Sequence, residues 1–171
     1  DWAAGPYFIK TETDPTGGTN YTITGTSQLM SVPYALYAKT SGSSIYNVNT
    51  VYPELGGYVI EISPNGKHGL VVAMQDQGNS NWYTANDLLS NAANHDANGA
   101  EFKDWRLPTK RELNLMYLVY SNGNGANLNA NIYWSSTESD DNIAWKQYFS
   151  DGVQFISYKY STGVVRAVRA F

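Results

Sequence analysis

The chain of 171 residues contains no cysteine and few charged side chains. The lack of cysteine excludes disulfides, thiolate catalysis and Cys-ligated zinc. Charged residues make up only 15% of the chain, and a net charge of −4 argues against the basic surface that nucleic-acid binding requires. No apolar run approaches the roughly 18 residues of a transmembrane helix.

The polar character of the chain is instead carried by Asn, Ser, Thr, Gly and 14 tyrosines. A hydrophobic content of 42% is enough for a well-formed core. Because the sequence starts at Asp1 rather than at Met, we expect a fragment or a processed product. Its length fits one full domain with a small additional segment.

Turn and hinge residues divide the sequence near residue 44. Residues 7–13 and 20–26 alternate as strands around the turn sequence "DPTGG". Pro33 can open a short helical turn, and "TSGSS" has the composition of a flexible hinge. We therefore expect a β-hairpin junction segment at 1–44, which ends a missing upstream region, and one larger domain at 45–171.

The larger domain begins with hairpin and helix signals. Strands "GGYVIEIS" and "HGLVVAM" flank "PNGK", with Asn65 and Gly66 at the tip of the predicted hairpin. A first amphipathic helix is indicated by apolar residues at helical spacing, namely Ala85, Leu88, Leu89 and Ala92. Thr109 and Glu112 form a capping box that predicts a second helix to about Tyr120. Three or four strands follow, with Asp151–Gly152 as the tightest turn, so the sequence predicts an α+β domain.

Several motifs resemble a known family. "DWRLPTKREL" (104–113), "YWSSTE" (133–138) and "VRAVRAF" (165–171) occur in the order and spacing of the collagen-like adhesin C-terminal domain family of bacterial and phage surface proteins. That family is related to the C-type lectin fold used by formylglycine-generating-enzyme-like domains. The resemblance implies a C-type lectin-like α+β fold with two helices and mostly antiparallel strands. "TSQLMSVPYALYAKTSG" resembles junctions that precede such domains in surface proteins of gut-type (Bacteroides-type) bacteria.

We interpret the residues of these motifs as structural. The large tryptophan rings favour the core. An arginine near a core needs a carboxylate or carbonyls for its donors, so one of the two C-terminal arginines is expected to pair with Glu138. The structural set is Trp105, Arg106, Thr109, Glu112, Trp134, Glu138, Trp145, Arg166 and Arg169.

Catalytic chemistry has little support in the sequence. The related fold includes an oxidase that works through a cysteine pair, which this chain lacks. We interpret both histidines, His68 and His95, as surface residues without metal-ligand spacing. The sequence alone cannot show whether two carboxylates lie at the separation that a glycosidase requires. The loop "HDANGAE" (95–101) only partly resembles a calcium loop. We predict no enzyme, no metal site and no cofactor, and leave a structural calcium ion open.

The C-terminal interval 139–163 has the composition of a binding surface. Tyr offers large contact area at low entropic cost, and Ser and Asn adapt their hydrogen bonds. The resemblance further implies the variable protein of a diversity-generating retroelement, in which template adenines are randomised and Asn codons are the main target. Lys146, Gln147, Gln154 and Lys159 are not readily reached from such codons and would be fixed. The candidate binding positions are Ser139, Asp140, Asp141, Asn142, Ile143, Tyr148, Ser150, Phe155, Ile156, Ser157, Tyr158, Tyr160, Ser161 and Thr162.

These observations predict a non-enzymatic ligand-display module of a bacterial surface protein or a phage receptor-binding protein. Its partner would be a protein or a glycan on a cell surface, not nucleic acid, and its location extracellular, on the cell surface or on a virion. We expect Tyr148, Tyr158 and Tyr160 to form one exposed patch with the 139–143 loop. The alternative is a structural tip or fibre domain whose sheet face mediates self-assembly.

Overall fold

The structure, a computed structural model, describes residues 8–28 and 46–171 of a chain that divides into two compact units, Asp1–Ser43 and Ser44–Phe171. The expected helical turn after Pro33 and the "TSGSS" hinge lie outside the described residues. Neither α-helix within the described ranges has the length and apolar character needed to cross a membrane.

In the first unit, strands β1 (Phe8–Thr13) and β2 (Ile23–Gln28) pair as the predicted antiparallel hairpin. All of their residues are exposed, so the hairpin has no core of its own. The Asp14 carboxylate orders the connection by accepting hydrogen bonds from the amides of Thr16 and Asn20 at 2.8 and 2.9 Å.

The second unit is built mainly from strands. Two 3-10 turns occupy Pro53–Leu55 and Ala92–Asn94. The other elements, in chain order, are β3 (Thr50–Tyr52), β4 (Gly57–Ile62), β5 (Gly69–Val72), β6 (Gly78–Ser80), α1 (Ala85–Ser90), α2 (Lys110–Ser121), β7 (Ile132–Asp140), β8 (Ile143–Tyr148), β9 (Gln154–Tyr158), β10 (Gly163–Val165) and β11 (Val168–Ala170).

These strands form two sheets. The larger has the order β6-β10-β7-β8-β9, and the smaller has the order β11-β5-β4-β3. Only the β10–β7 pair is parallel, while the other pairs among the described strands are antiparallel. Strand β9 therefore lies at one edge of the larger sheet, next to β8 alone among the described strands.

Central strands are buried on both faces, which explains their continuous apolar runs. In β7, Tyr133 faces a cluster that includes Leu113 and Met116 of α2, whereas Trp134 faces a second cluster that includes Leu89 of α1. Because successive side chains of a strand point to opposite faces, β4, β5, β7 and β10 each contribute to both clusters. The larger sheet is thereby fixed from two sides.

The capping box predicted at the start of α2 is confirmed. The Thr109 hydroxyl accepts from the Glu112 amide, and the Glu112 carboxylate accepts from the Thr109 amide at 2.8 Å. Arg106 donates twice to the same carboxylate, with both distances 2.7 Å. Burial opposes ionisation of Glu112, but the bonds from Arg106 and Thr109 lower its pKa overall.

The two predicted glycine turns are also confirmed. Gly66 (φ 70°) lies in the connection between β4 and β5, and Gly152 (φ 80°) in the connection between β8 and β9. A positive φ strains residues with a Cβ, so glycine is favoured at both positions. The second turn sets the β8–β9 register that positions the candidate binding residues.

The predicted α+β, C-type lectin-like fold class is wrong. Strands make up 37% of the described residues and helices only 16%, so the fold is predominantly β. Two segments account for the difference. The first helix ends at Ser90, because Asn91 takes an extended conformation there. The C-terminal region contains five strands rather than the expected three or four.

The expected arginine pairing with Glu138 is wrong as well. Arg166, whose side chain is fully buried, bonds the Asp76 carboxylate at 2.9 Å and the main-chain oxygen of Asn127 at 3.0 Å. Burial lowers the pKa of Arg166 and, together with Asp76, raises the pKa of Tyr133 to about 12. Sequence analysis missed Asp76 because 90 residues separate it from Arg166.

Candidate functional site

The interval 139–163 covers the end of β7, all of β8 and β9, and the segment that leads into β10. This region forms the outer part of the larger sheet, because β9 is the edge strand. Most of the interval therefore lies at the β9 edge of the larger sheet. The outer side of β9 is not paired with another described strand.

The candidate binding positions are accessible. None is buried: ten are exposed, and four, namely Ile143, Phe155, Ser157 and Ser161, are half-buried. Ile156, Tyr158 and Tyr160 are 50%, 54% and 71% exposed. Side chains at these positions can therefore reach a partner without unfolding the sheet.

An open depression of about 370 Å³ lies at one end of the β8–β9 pair. Every residue that lines it is a candidate binding position: Asp140, Asp141, Asn142, Ile143 and Tyr158. The register explains the proximity, because Ile143 pairs directly with Tyr158 across the two strands. The structure thus brings the 139–143 loop together with one of the three expected tyrosines.

The expected single tyrosine patch is instead divided. Tyr158 stacks on Tyr160 with ring centroids 5.1 Å apart, while Tyr148 stacks on Phe155 at 4.5 Å. The β8–β9 register pairs Ile143 with Tyr158, and Tyr148 lies an odd number of positions from Ile143. Alternation therefore directs Tyr148 and Tyr158 to opposite faces of the sheet.

Lys159 holds the 139–143 loop from inside. Its side chain is 3% exposed, forms an ion pair with Glu138, and donates to the main-chain oxygen of Asp141 at 2.9 Å. Its ammonium also lies 4.6 Å from the centroid of the Trp82 ring. The carbonyl contact depends on the backbone of Asp141, so the loop is anchored independently of its candidate side chains.

Lys146 holds the 160–162 segment in a similar way. Its ammonium donates to the Thr162 oxygen at 2.8 Å and to the Ser161 hydroxyl at 3.1 Å, and lies 3.9 Å from the Trp134 ring centroid. Burial lowers the pKa of Lys146 to about 8, because desolvation disfavours the charged form. This buried lysine is part of the framework and not of the accessible surface.

Two glutamines complete the framework beneath β8 and β9. Gln147 is fully buried and donates to the Gly152 oxygen at 3.0 Å and to the Asn114 side chain at 3.1 Å. Gln154 donates to the Lys110 oxygen at 2.8 Å and so ties the edge strand to the start of α2. These bonds fix the strands from the helix side.

The residues interpreted as structural differ in burial. Trp105 and Trp134 are buried and donate to the oxygens of Gly99 and Ser80 at 2.8 and 3.0 Å. Trp145, expected in the core, is only half-buried. The ammonium of Lys110 lies over its ring, 3.0 Å from the ring centroid.

Arg169 also has a structural contact. It bonds Asp104 at 2.8 Å and packs 3.9 Å from the Phe102 ring.

The calcium-like loop is held by a hydrogen bond between two of its own residues. The Asp96 carboxylate accepts from the Gly99 amide at 2.7 Å. The interpretation of His95 as a surface residue is wrong. Its side chain is buried, its ring stacks on Trp105, and its Nε2 lies 2.8 Å from the Leu89 oxygen. His68 is exposed as expected. Within 8–28 and 46–171, no three His, Asp or Glu side chains are grouped to hold a metal ion.

Tyr83 is an accessible aromatic residue that sequence analysis missed. It is 56% exposed, and its hydroxyl donates to the Asp141 oxygen at 3.4 Å, a long hydrogen bond. The residue lies between β6 and α1, far from the C-terminal interval in sequence, so composition gave no signal for it.

Comparison with known proteins gives a family match. The model of the Lcl C-terminal domain family matches residues 62–169, which is more than half of the chain. The match includes β7–β10, and therefore the complete candidate surface. A search of curated proteins found no match.

Proposed function

Because the chain belongs to the family of Lcl C-terminal domains, we propose that it is a non-enzymatic ligand-display module. The family is compatible with a surface or adhesin-like protein. In this proposal the module acts outside the cell, on a bacterial surface or a phage virion, and its partner is a protein or a glycan. The binding positions are the fourteen candidate residues between Ser139 and Thr162.

The observation that carries this proposal is the division of the interval 139–163 by burial. Lys146, Gln147 and Lys159 are buried and hydrogen-bonded, and Gln154 is half-buried and bonded to α2. These are the four residues that adenine-directed substitution does not readily reach. None of the fourteen candidate positions is buried. If the surface positions are to vary while the fold stays constant, the variable residues must be accessible and the fixed residues must hold the structure from inside.

The anchoring contacts support the same conclusion. Lys159 and Lys146 hold their two loops through the main-chain oxygens of Asp141 and Thr162. Such contacts persist when the side chains at these positions change, because every residue type carries the same carbonyl. New side chains could then appear in the loops without loss of the fold.

Diversification by a retroelement is the finer part of the proposal. Sequencing of the genomic locus tests it. The expected result is a reverse transcriptase gene and a near-copy of the segment that encodes 139–171, differing from it only at adenines. A locus without such a copy would contradict diversification but would leave ligand display to be tested by binding.

Ligand display itself is tested by three substitutions made together, Tyr148→Ala, Tyr158→Ala and Tyr160→Ala. All three rings are exposed, so the thermal melt should change little, since surface substitutions usually remain within about 0.5 kcal/mol. Binding of the labelled chain to its host cells should be lost, because aromatic anchors often contribute about 2 kcal/mol or more each. Unchanged binding by a folded triple variant would contradict display by this surface.

A further inference from the structure

Strand β9 offers main-chain hydrogen-bonding groups along the open edge of the larger sheet. The Tyr148 amide donates to the Val153 oxygen at 3.0 Å, and the Lys159 amide donates to the Asn142 oxygen at 2.8 Å. In an antiparallel pair, bonded and non-bonded residues alternate. Phe155 and Ser157, together with the Val153 oxygen and the Lys159 amide, therefore direct their main-chain groups toward β8. Gln154, Ile156 and Tyr158 direct theirs away from it.

Most of these outward groups have no partner among the described residues. The Tyr158 oxygen accepts from Ser161, but the amide and carbonyl groups of Gln154 and Ile156 and the amide of Tyr158 make no hydrogen bond there. Natural edge strands are commonly blocked by Pro, Lys or a bulge. The sequence of β9, "QFISY", has neither residue, and its β8 register runs without a break.

We propose that β9 binds an extended segment of a protein partner, which adds to the sheet as a further strand. This inference rests on the proposed display function and deepens it by naming the partner class. Main-chain bonds would supply affinity that does not depend on side chains, and the flanking candidate positions would supply specificity. Ile156 and Tyr158 lie on one face of the edge and Phe155 and Ser157 on the other, so both sides of an added strand are contacted.

The charges around β9 favour a segment with basic residues. Asp151 lies in the turn at one end of the strand, and Asp140 and Asp141 lie beside Tyr158 at the other. The two lysines of the interval, Lys146 and Lys159, are buried, at 4% and 2% exposure. A third lysine near the strand, Lys110, is half-buried, and its ammonium lies over the Trp145 ring. Carboxylates at both ends therefore complement cationic side chains that flank the added strand.

The same charges disfavour a second copy of this chain as the occupant. Two copies of β9 related by a two-fold axis would pair antiparallel. Asp151 of one copy would then approach Asp140 and Asp141 of the other, and like charges placed opposite each other destabilise the pair.

In the experiment, the full chain is titrated with a synthetic peptide of alternating Val and Thr that carries Lys at each end. The changes in the amide chemical shifts of the protein are measured by NMR. The largest shifts are expected at the outward amides of Gln154, Ile156 and Tyr158, and smaller ones at Phe155 and Ser157. Shifts confined to another surface, or equal at outward and inward amides, would overturn the proposal. A matched peptide with Glu ends should bind at least tenfold more weakly, and equal binding would overturn the basic partner.

Two variants separate main-chain from side-chain effects. Ile156→Pro removes an outward donor and no bond to β8, and proline is tolerated on edge strands. Ile156→Ala removes the same side chain but keeps the amide. The Pro variant should bind the Lys-ended peptide at least tenfold more weakly than the Ala variant, whereas equal affinities would overturn edge docking. If the Pro variant does not fold, the shift pattern of the unsubstituted chain decides.

Two further outcomes are distinguishable. Shifts at the outward amides that grow with protein concentration in the absence of peptide would make a second copy the occupant, and so overturn the proposal. Failure of peptide docking, together with loss of host-cell binding in the triple tyrosine variant, would overturn edge docking alone and leave ligand display intact.

Discussion

Replacement of Lys146 by Met should change how the stability of the protein depends on pH. The lysine is 4% exposed, and burial lowers its pKa from the usual 10.5 to about 8. This difference corresponds to about 3 kcal/mol of preference for the neutral form. Met fills similar space without a charge, so the variant removes this cost together with the bonds to Ser161 and Thr162.

The direction of the effect follows from proton binding. Between about pH 8 and 10.5 the unfolded chain keeps the Lys146 proton that the folded state has lost. The contribution of Lys146 to stability therefore rises with pH across this window, by about 2 kcal/mol between about pH 7.5 and 9.5. Above about pH 10 the raised pKa of Tyr133 makes the free energy of unfolding fall with pH, because the unfolded chain loses the Tyr133 proton first. The measurement should therefore stop below that pH.

Chemical denaturation at several pH values measures this effect. The free energy of unfolding of the Lys146→Met variant should lack the rise that Lys146 contributes to the unsubstituted chain. Lys67→Met, at an exposed position in the β4–β5 hairpin, is the matched control and should keep that rise. Parallel pH curves for the Lys146 variant and the unsubstituted chain would refute the reasoning.

The remaining predictions concern the framework. Thr109→Ala should lower the free energy of unfolding by about 1 kcal/mol through loss of the capping box, and an unchanged denaturation midpoint would contradict this. Asp76→Ala should cost about 3–5 kcal/mol, because it leaves the buried Arg166 unpaired; a calorimetric melt within a few degrees of the original would refute it. Trp134→Ala should cost about 3–5 kcal/mol by leaving a cavity, and a folded variant with a normal melt would show that the ring is not needed in the core.

Local elements were predictable because their signals are local. The capping box at Thr109 and the turns at Gly66 and Gly152 each depend on a few adjacent residues, and all three are found in the structure. The fold class was not predictable in the same way. Strands β3, β6 and β11 are three residues long, too short for alternation to be visible in the sequence.

Contacts between residues far apart in the chain could not be predicted from the sequence either. Asp76 meets Arg166 across 90 positions, and Glu138 takes Lys159 rather than an arginine as its partner. The division of the tyrosines between two faces depends on the β8–β9 register, which is set by the turn at Gly152. By contrast, the candidate binding positions, chosen from composition and from the resemblance, are all exposed or half-buried.

The central claim is that accessible positions can vary while the four polar framework residues cannot. Two matched libraries test it by protease resistance of the full chain displayed on yeast. One library randomises four accessible positions, namely Asp140, Asn142, Tyr158 and Tyr160. The other randomises the four framework positions, namely Lys146, Gln147, Gln154 and Lys159. Most members of the first library should resist protease as the unsubstituted chain does, and most members of the second should be cleaved. Equal resistance in the two libraries would contradict the account.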